Sequence, residues 1–200
     1  MNTALNQFVE KLPLTKLTAK RQNELHLLIE YIKTKTKHNK PLQLNFICTH
    51  NSRRSQFSQL WAKVMAHYHG IACNTFSGGV EVTACNQRVI TTLSSQGFGI
   101  KTVENGDNPS YFINLAELSF GEYFSKLYDD ASSPSNDFAA VMTCAHADEN
   151  CPFIPGAEQR IPLRYKDPKA FDDTPQETMA YLDKSIEIAS EMHYIFSSIT

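Results

Sequence analysis

Blocks of apolar residues recur along this chain at two different periods, and the alternation between them outlines its elements. Leu25, Leu28, Ile29 and Ile32 fall at i, i+3, i+4 and i+7 among Lys, Thr and Gln, which predicts one face of an amphipathic helix, with Thr18 placed to cap its start. Residues 1–40 therefore read as a helical extension, either laid on the core or offered as a dimer or partner surface. Lys37, His38 and Lys40 read as its solvated end, and Pro41 separates it from the first strand. The apolar run at 43–48 predicts that strand, ending in Cys48. Phe57, Leu60, Trp61, Val64, Met65 and Tyr68 then repeat at helical spacing up to Gly70. Residues 71–77 read as a second strand running into a Ser77-Gly78-Gly79 turn, and a helix through Val89, Ile90 and Leu93 closes near Gly97. Strand–helix–strand–helix order implies right-handed crossovers and a parallel sheet, with ligands at the carboxyl ends of the strands. Cys48 and Ser77 both fall there.

Residues 101–135 are less regular. Asn105-Gly106, Asn108-Pro109 and Ser133-Pro134 are turn signals, and Tyr111, Phe112, Leu115, Leu118, Phe120, Tyr123 and Phe124 lie between them. The segment reads as an inserted, partly ordered flap with a hairpin or short helix, its aromatics serving as satellite core or as a substrate wall. Residues 138–144 form a buried strand, expected beside 43–48, so that Cys144 lies over the same sheet edge as Cys48. A short strand at 159–163 comes next, then a last helix with Thr174 as its cap, Pro175 at the first position and Glu177 at the third. Met179, Leu182, Ile186, Ala189 and Phe196 are expected to face the sheet.

Two hundred residues, 42% apolar and 20% charged, suit one domain with a full core, or one domain plus an appendage. The net charge of −2 supplies no general attraction to nucleic acid or anionic membrane. No apolar run approaches the roughly 20 residues of a membrane span. The first residues lack the basic start and apolar core of a signal peptide, so a cytoplasmic location is expected. Five cysteines in that compartment are expected to be reactive, metal-binding or buried rather than structural disulfides.

Cys48, five residues and then Arg54-Ser55 place a thiol at a strand end, with a short loop and a helix start after it. Unpaired N–H groups at a helix start, together with the helix dipole, suit an oxyanion. The Arg54 fork can hold two of its oxygens, and the same field favours thiolate over thiol. The competing reading is a small buried thiol with no chemistry. Asn51 and Ser55 favour the anion site, because Asn tolerates left-handed backbone and a hydroxyl can brace a loop. Cys144, His146 and Cys151 suggest a metal, but zinc ligands pair at closer spacing and no second pair exists, so no metal is expected. Cys73, read as mid-strand, and Cys85 suit buried thiols. Cys151 does not, since Asp148, Glu149, Asn150 and Pro152 read as a mobile surface segment. Three thiols, one on the anion site, one on the adjacent strand end and one exposed, could act in relay by thiol–disulfide exchange.

Cys48-Thr-His-Asn-Ser-Arg-Arg-Ser-Gln56 resembles the phosphate loop of low-molecular-weight tyrosine phosphatases and of the thioredoxin-coupled arsenate reductases that share their fold. Ser77-Gly-Gly with Asn86-Gln-Arg-Val-Ile90 is similar to a second family segment, with Gln87 replacing a proline. Cys144-Ala-His-Ala-Asp-Glu-Asn-Cys-Pro152 resembles the redox segment of the reductases, which the plain phosphatases lack, and Asp167-Pro168 matches the general-acid dipeptide. The resemblance spans about residues 42–198, within a catalytic domain over 41–200, and leaves the helical extension and the 101–135 insertion outside it. It implies a flavodoxin-like three-layer α/β sandwich on a parallel four-stranded sheet.

By the same resemblance, Cys48 attacks arsenate while Arg54 and the loop N–H groups hold its oxygens, and Asp167 protonates the departing oxygen. Asp172 and Asp173 compete for that last role, and only the proline after Asp167 decides. Cys144 then attacks the Cys48 adduct, and Cys151 closes a Cys144–Cys151 disulfide that thioredoxin reduces. Thr49, His50, Asn51, Ser52, Arg53, Ser55 and Ser77 bind the oxyanion or brace the loop. No tightly bound cofactor is implied, thioredoxin is the external reductant and protein partner, and the chain is expected as a monomer or weak homodimer. His50 stands where the phosphatases usually carry Gly, which favours reduction, and Arg53 adds charge to the site. Gln59 stands where potassium-stimulated reductases carry a carboxylate, which argues against potassium. His146 replaces an acidic residue. Lys169 and Ala170 replace an aromatic pair that flanks phosphotyrosine in the phosphatases. The alternatives are a phosphatase that uses Cys48, Arg54 and Asp167 alone, and a redox-sensing oxyanion-binding protein.

Overall fold

A computed structural model of the chain describes residues 3–14, 16–115, 118–150 and 153–199. In chain order its first half comprises α1 (Thr3–Glu10), α2 (Ala19–Lys37), β1 (Gln43–Cys48), α3 (Arg54–Tyr68), β2 (Asn74–Gly79) and α4 (Gln87–Ser95). The second half comprises β3 (Gly99–Glu104), β4 (Ser110–Leu115), β5 (Leu118–Tyr123), β6 (Phe138–Met142), α5 (Ala145–Asn150), β7 (Ala157–Pro162), a 3₁₀ turn at Pro168–Phe171 and α6 (Glu177–Ser197).

Four strands form a parallel sheet in the order β2-β1-β6-β7, and helices cover its faces in the flavodoxin-like manner. Side chains alternate along β1 and β6. Leu44, Phe46, Ala139 and Val141 enter the core shared with the long helices, while Ile47, Phe138, Ala140 and Met142 pack on the other side with Ala147 of α5 and Ile154. The connection after β1 runs to one side of it, and β6 lies on the other. The strand order therefore reverses at the carboxyl ends of β1 and β6, where such sheets open a crevice. The thiols of Cys48 and Cys144 sit at that edge in one buried cluster.

The first two helices belong to the main core. Leu5, Leu25, Leu28 and Ile32 are fully buried, Phe8 stacks on Trp61 with ring centroids 5.5 Å apart, and Thr18 Oγ1 caps α2 by accepting from Arg21 N at 3.2 Å. Arg21 also grips Glu191 of α6 with both arms of its fork, Nε to Oε1 at 2.6 Å and Nη2 to Oε2 at 2.7 Å, and Glu191 is 2% exposed. On α3, Trp61 Nε1 donates to Ser185 Oγ at 2.8 Å, and Ser185 donates onward to Gln96 Oε1 at 2.7 Å.

Several elements depart from the periodicity. The second strand starts at Asn74 rather than at 71, so Cys73 precedes it, and the last strand starts at Ala157 rather than at 159. The hairpin expected within 101–135 is present as β4 and β5, and β3 extends it. β3, β4 and β5 form a three-stranded antiparallel sheet in which Tyr111, Ile113 and Tyr123 are buried in the main core while Phe112 faces out. β3 is exposed along nearly its whole length, which is why its polar residues read as loop. α6 begins at Glu177 with no side-chain cap. Thr174 instead donates to Phe171 O at 2.7 Å within the preceding turn, and Glu177 reaches back to accept from Asp173 N at 2.6 Å. The buried face of α6 takes in Ala189 and Phe196 as expected, together with Tyr181, Ser185, Ile188, Met192 and Ile195, while Met179 is on the surface; Ser185, Ser190 and Glu191 on that face interrupt its apolar stripe. Among the described residues, no helix is long and apolar enough to cross a membrane.

Arg21→Ala leaves the Glu191 carboxylate buried without its partner. Such truncations cost about 3–5 kcal/mol, so the urea midpoint should fall sharply. The double variant Arg21→Ala/Glu191→Leu should recover most of the loss.

Candidate active site

The segment from Cys48 to Arg54 is a tight loop, and its shape is set by where its carbonyls go. Val80 N donates to Thr49 O at 2.9 Å and to Cys48 O at 3.3 Å, and Glu81 N also donates to Thr49 O. His50 O accepts from Ser125 Oγ at 2.9 Å, Asn51 O from Gln56 Nε2 at 2.7 Å, and Ser52 O from Asn86 N at 3.0 Å. Among the described residues, none of the N–H groups from Thr49 to Arg54 donates to a protein acceptor. The loop thus turns its carbonyls outward to its neighbours and keeps its donors for the concave side, the arrangement an oxyanion requires.

Asn51 makes the turn possible. Its φ is 45°, and its amide fixes it there by donating from Nδ2 to Ser55 Oγ at 2.9 Å and accepting at Oδ1 from Lys126 N at 3.0 Å. With a lone pair of Ser55 already taken by Asn51, the hydroxyl proton of Ser55 is free to point at Cys48 Sγ, 3.1 Å away. Gly79 has to be glycine, because a Cβ there would lie 2.7 Å from Asn51 N and 2.8 Å from Thr49 O.

Arg54 opens α3 beside the thiol. Its Nη2 donates to Asp167 Oδ2 at 2.7 Å and its Nη1 to Tyr165 O at 3.2 Å, while its buried Nε has no hydrogen-bond partner among the described residues. The other oxygen of Asp167 caps the 3₁₀ turn by accepting from Lys169 N at 3.0 Å. The two competing carboxylates are occupied elsewhere. Asp172 accepts from Arg53 Nη2 at 3.0 Å and from Tyr181 OH at 2.7 Å, and Asp173 pairs on the surface with Arg88. Of the three carboxylates, Asp167 is the one brought to Arg54.

Some expected members stand apart. Arg53 does not add a free charge to the loop, since its Nε donates to Tyr181 OH at 2.7 Å and its other arm holds Asp172. Burial pushes the Tyr181 hydroxyl up to about 12, so it stays protonated in this cluster. Ser77 Oγ is buried with no hydrogen-bond partner among the described residues, and hence does not bond to the loop. His50 points outward to Glu81 Oε2 at 3.2 Å. Residues 145–150 form the short helix α5 rather than a mobile segment. Asp148 in it is buried and paired with Arg160 and Arg164. Cys151 and Pro152 lie outside the described residues. Cys73 and Cys85 are buried, Cys85 next to the Asn86 that holds the Ser52 carbonyl, and burial pushes both thiols up to about 12.

The residues that periodicity did not single out come from the second sheet and the irregular segment after it. Tyr123 OH donates to Gln56 O, and Gln56 Nε2 donates to Phe124 O at 3.2 Å, while Ser125 holds the His50 carbonyl and Lys126 N the Asn51 amide. No local motif marks them. Beside the loop this sheet bounds a cleft of about 550 Å³ lined by His50, Ser52, Arg53, Arg88, Tyr111 and Lys169, among others.

A scan against known protein families finds no match. The chain is similar to an arsenate reductase of Brevibacillus brevis, 29% identical over 123 residues that cover 62% of this chain and 74% of that protein. One from Bacillus cereus is 28% identical over the same coverage. Among solved structures, a YwlE mutant from Bacillus subtilis superposes with a TM-score of 0.51 at 13% identity, covering 78% of this chain and 97% of that one. A low-molecular-weight phosphotyrosine phosphatase from Vibrio cholerae gives 0.50 at 11% identity, covering 78% and 94%. At these identities the structures speak for the fold alone.

Asn51→Ala removes both amide hydrogen bonds and forces an alanine into left-handed backbone, at a cost of roughly 1–3 kcal/mol. Calorimetric titration with phosphate or arsenate should show affinity weakened by about tenfold or more. Asn51→Gly, which relieves only the backbone, should recover part of it.

Proposed function

We propose that this chain, 29% identical to an arsenate reductase over 62% of its length, acts in the same way and reduces arsenate to arsenite with Cys48 as the nucleophile. The observation that carries the reading is the position of a second thiol. Cys144 Sγ lies 3.5 Å from the hydroxyl of Thr49, the residue next to Cys48 in the anion loop. A phosphatase working through Cys48, Arg54 and Asp167 has no use for that contact.

The oxyanion enters the loop with its oxygens on the free N–H groups and on Arg54. Arg54 then exchanges its bond to Asp167 for one to the anion, which leaves Asp167 able to take up the anion's own proton and return it to the leaving oxygen. Cys48 Sγ forms the bond to arsenic, and the oxygen departs as water. Cys144 Sγ next attacks Cys48 Sγ. A sulfur–sulfur bond forms, the sulfur–arsenic bond breaks with its electron pair going to arsenic, and arsenic passes from the pentavalent to the trivalent state. The two electrons come from the two thiols. Cys151 then attacks Cys144, releasing Cys48, and a dithiol reductant of the thioredoxin class reduces the Cys144–Cys151 disulfide in the cytoplasm. Cys73 and Cys85, with thiols held protonated by burial, take no part.

The test is steady turnover of arsenate with thioredoxin, thioredoxin reductase and NADPH. Wild type should turn over, while Cys144→Ser and Cys151→Ser should stop after the first adduct or the first disulfide. Full turnover in both variants would end the relay, and robust hydrolysis of an aryl phosphate untouched by either substitution would select the phosphatase. Disulfide formation under peroxide with neither activity would select a redox sensor.

A further inference from the structure

Cys144 is 1% exposed, yet the arsenate relay needs its thiolate, so its proton must leave through protein groups. Thr49 offers the way out. Its hydroxyl, itself nearly buried, lies 3.5 Å from Cys144 Sγ and 3.3 Å from Nδ1 of His146, whose ring reaches solvent. A hydroxyl can accept from a thiol and donate to an imidazole at once. The other groups near the thiol offer no base. Ala147 N donates to Cys144 Sγ at 3.4 Å, Arg164 and Arg160 are cations paired with Asp148, and Glu149 is turned to Arg164. On the loop side, Asp167 is held by Arg54, and His50 faces Glu81.

We propose that His146 is the proton acceptor that activates Cys144, acting through the Thr49 hydroxyl. The thiol proton passes to Thr49 Oγ1 as the Thr49 proton passes to His146 Nδ1. A thiol and a neutral imidazole become a thiolate and an imidazolium, and the thiolate keeps a hydrogen bond from Thr49. Nδ1 must therefore be the unprotonated nitrogen before the transfer. Once Cys144 has attacked Cys48, the imidazolium returns its proton to solvent. His146 touches no substrate, so it is a positioning and proton-accepting residue for the second thiol. The proposal rests on the arsenate relay for its purpose, although the proton path itself can be read without arsenate.

The experiment uses the full chain carrying Cys48→Ser and Cys151→Ser. Its remaining thiols besides Cys144 are Cys73 and Cys85, both pushed up to about 12, so thiolate absorbance at 240 nm below about pH 8.5, where tyrosine is still protonated, reports Cys144. His146→Asn keeps a polar atom at the Nδ1 position but not a base, and Thr49→Val removes the bridge. Each should cut the Cys144 signal at pH 7.5 at least threefold, and Thr49→Ser should restore it. In the otherwise native chain, His146→Asn should slow single-turnover formation of the Cys48–Cys144 disulfide at pH 7.5 by about 10²-fold, the usual scale of general-base loss. The deficit should narrow toward pH 9 as hydroxide takes over. An unchanged absorbance profile in His146→Asn, or a Thr49→Val variant that behaves like Thr49→Ser, overturns the proposal. Dependence of the absorbance on His146 in a protein that reduces no arsenate leaves the proton path standing and removes the reductase reading. Normal single-turnover reduction in His146→Asn does the reverse.

Discussion

Asn51 sits at a backbone angle that costs most residues roughly 1–2 kcal/mol, and the rest of the site depends on its staying there. Its side-chain amide joins three separate pieces of chain: its own loop, the start of α3 through Ser55, and the backbone after the second sheet through Lys126. That one amide sets the outward carbonyls, the inward N–H groups and the direction of the Ser55 hydroxyl toward Cys48. The helices and the parallel sheet supply the platform, and this turn converts a strand end into a cradle.

The parts of this arrangement built from neighbours in sequence were legible from the residues alone. A short apolar run ending in Cys48, a helical period from Phe57 and an Asn in the loop between them describe local geometry, and local geometry leaves a periodic trace. The choice of Asp167 over Asp172 and Asp173 rested on a following proline, and its physical ground is a contact with Arg54 across the fold. Arg53, Ser77 and His50 were grouped with the loop because they are near it in sequence or in motif. Two of these side chains obey other partners: Tyr181 and Asp172 for Arg53, Glu81 for His50. The bracing by Tyr123, Ser125 and Lys126 could not be read, since two of the three bonds involve backbone carbonyls of the loop and its helix and so impose no residue type there. On α6 the buried face carries Ser185, Ser190 and Glu191, each of which defeats a hydropathy pattern.

Burial sorts the described thiols into two kinds. Burial holds the protons of Cys73 and Cys85 in place, and the Cys73 thiol donates to Asn74 O at 3.7 Å. Cys48 and Cys144 are as deeply buried, but each has a hydroxyl beside it, Ser55 for one and Thr49 for the other. The difference between an inert and a usable thiol here is one side-chain oxygen, and both oxygens belong to the same short stretch of chain. The stretch from Thr49 to Ser55 therefore supplies the polar group beside each of these two sulfurs.

The Arg21–Glu191 clamp bears on where this chain can be cut. A charged pair closed inside a core acts as a rivet between the second helix and the last one, and Leu5 and Phe8 extend that seam to Trp61. Even the stretch between the first two helices is pinned, with Leu12 buried in the main core and Leu17 packed against it, and a protease that removed both helices would strip a wall from the interior and strand a carboxylate in oil. Shortened versions of the protein that begin at Pro41 would keep every residue of the anion loop and still lack part of what keeps α6, and through Tyr181 the Arg53 side of that loop, in its place.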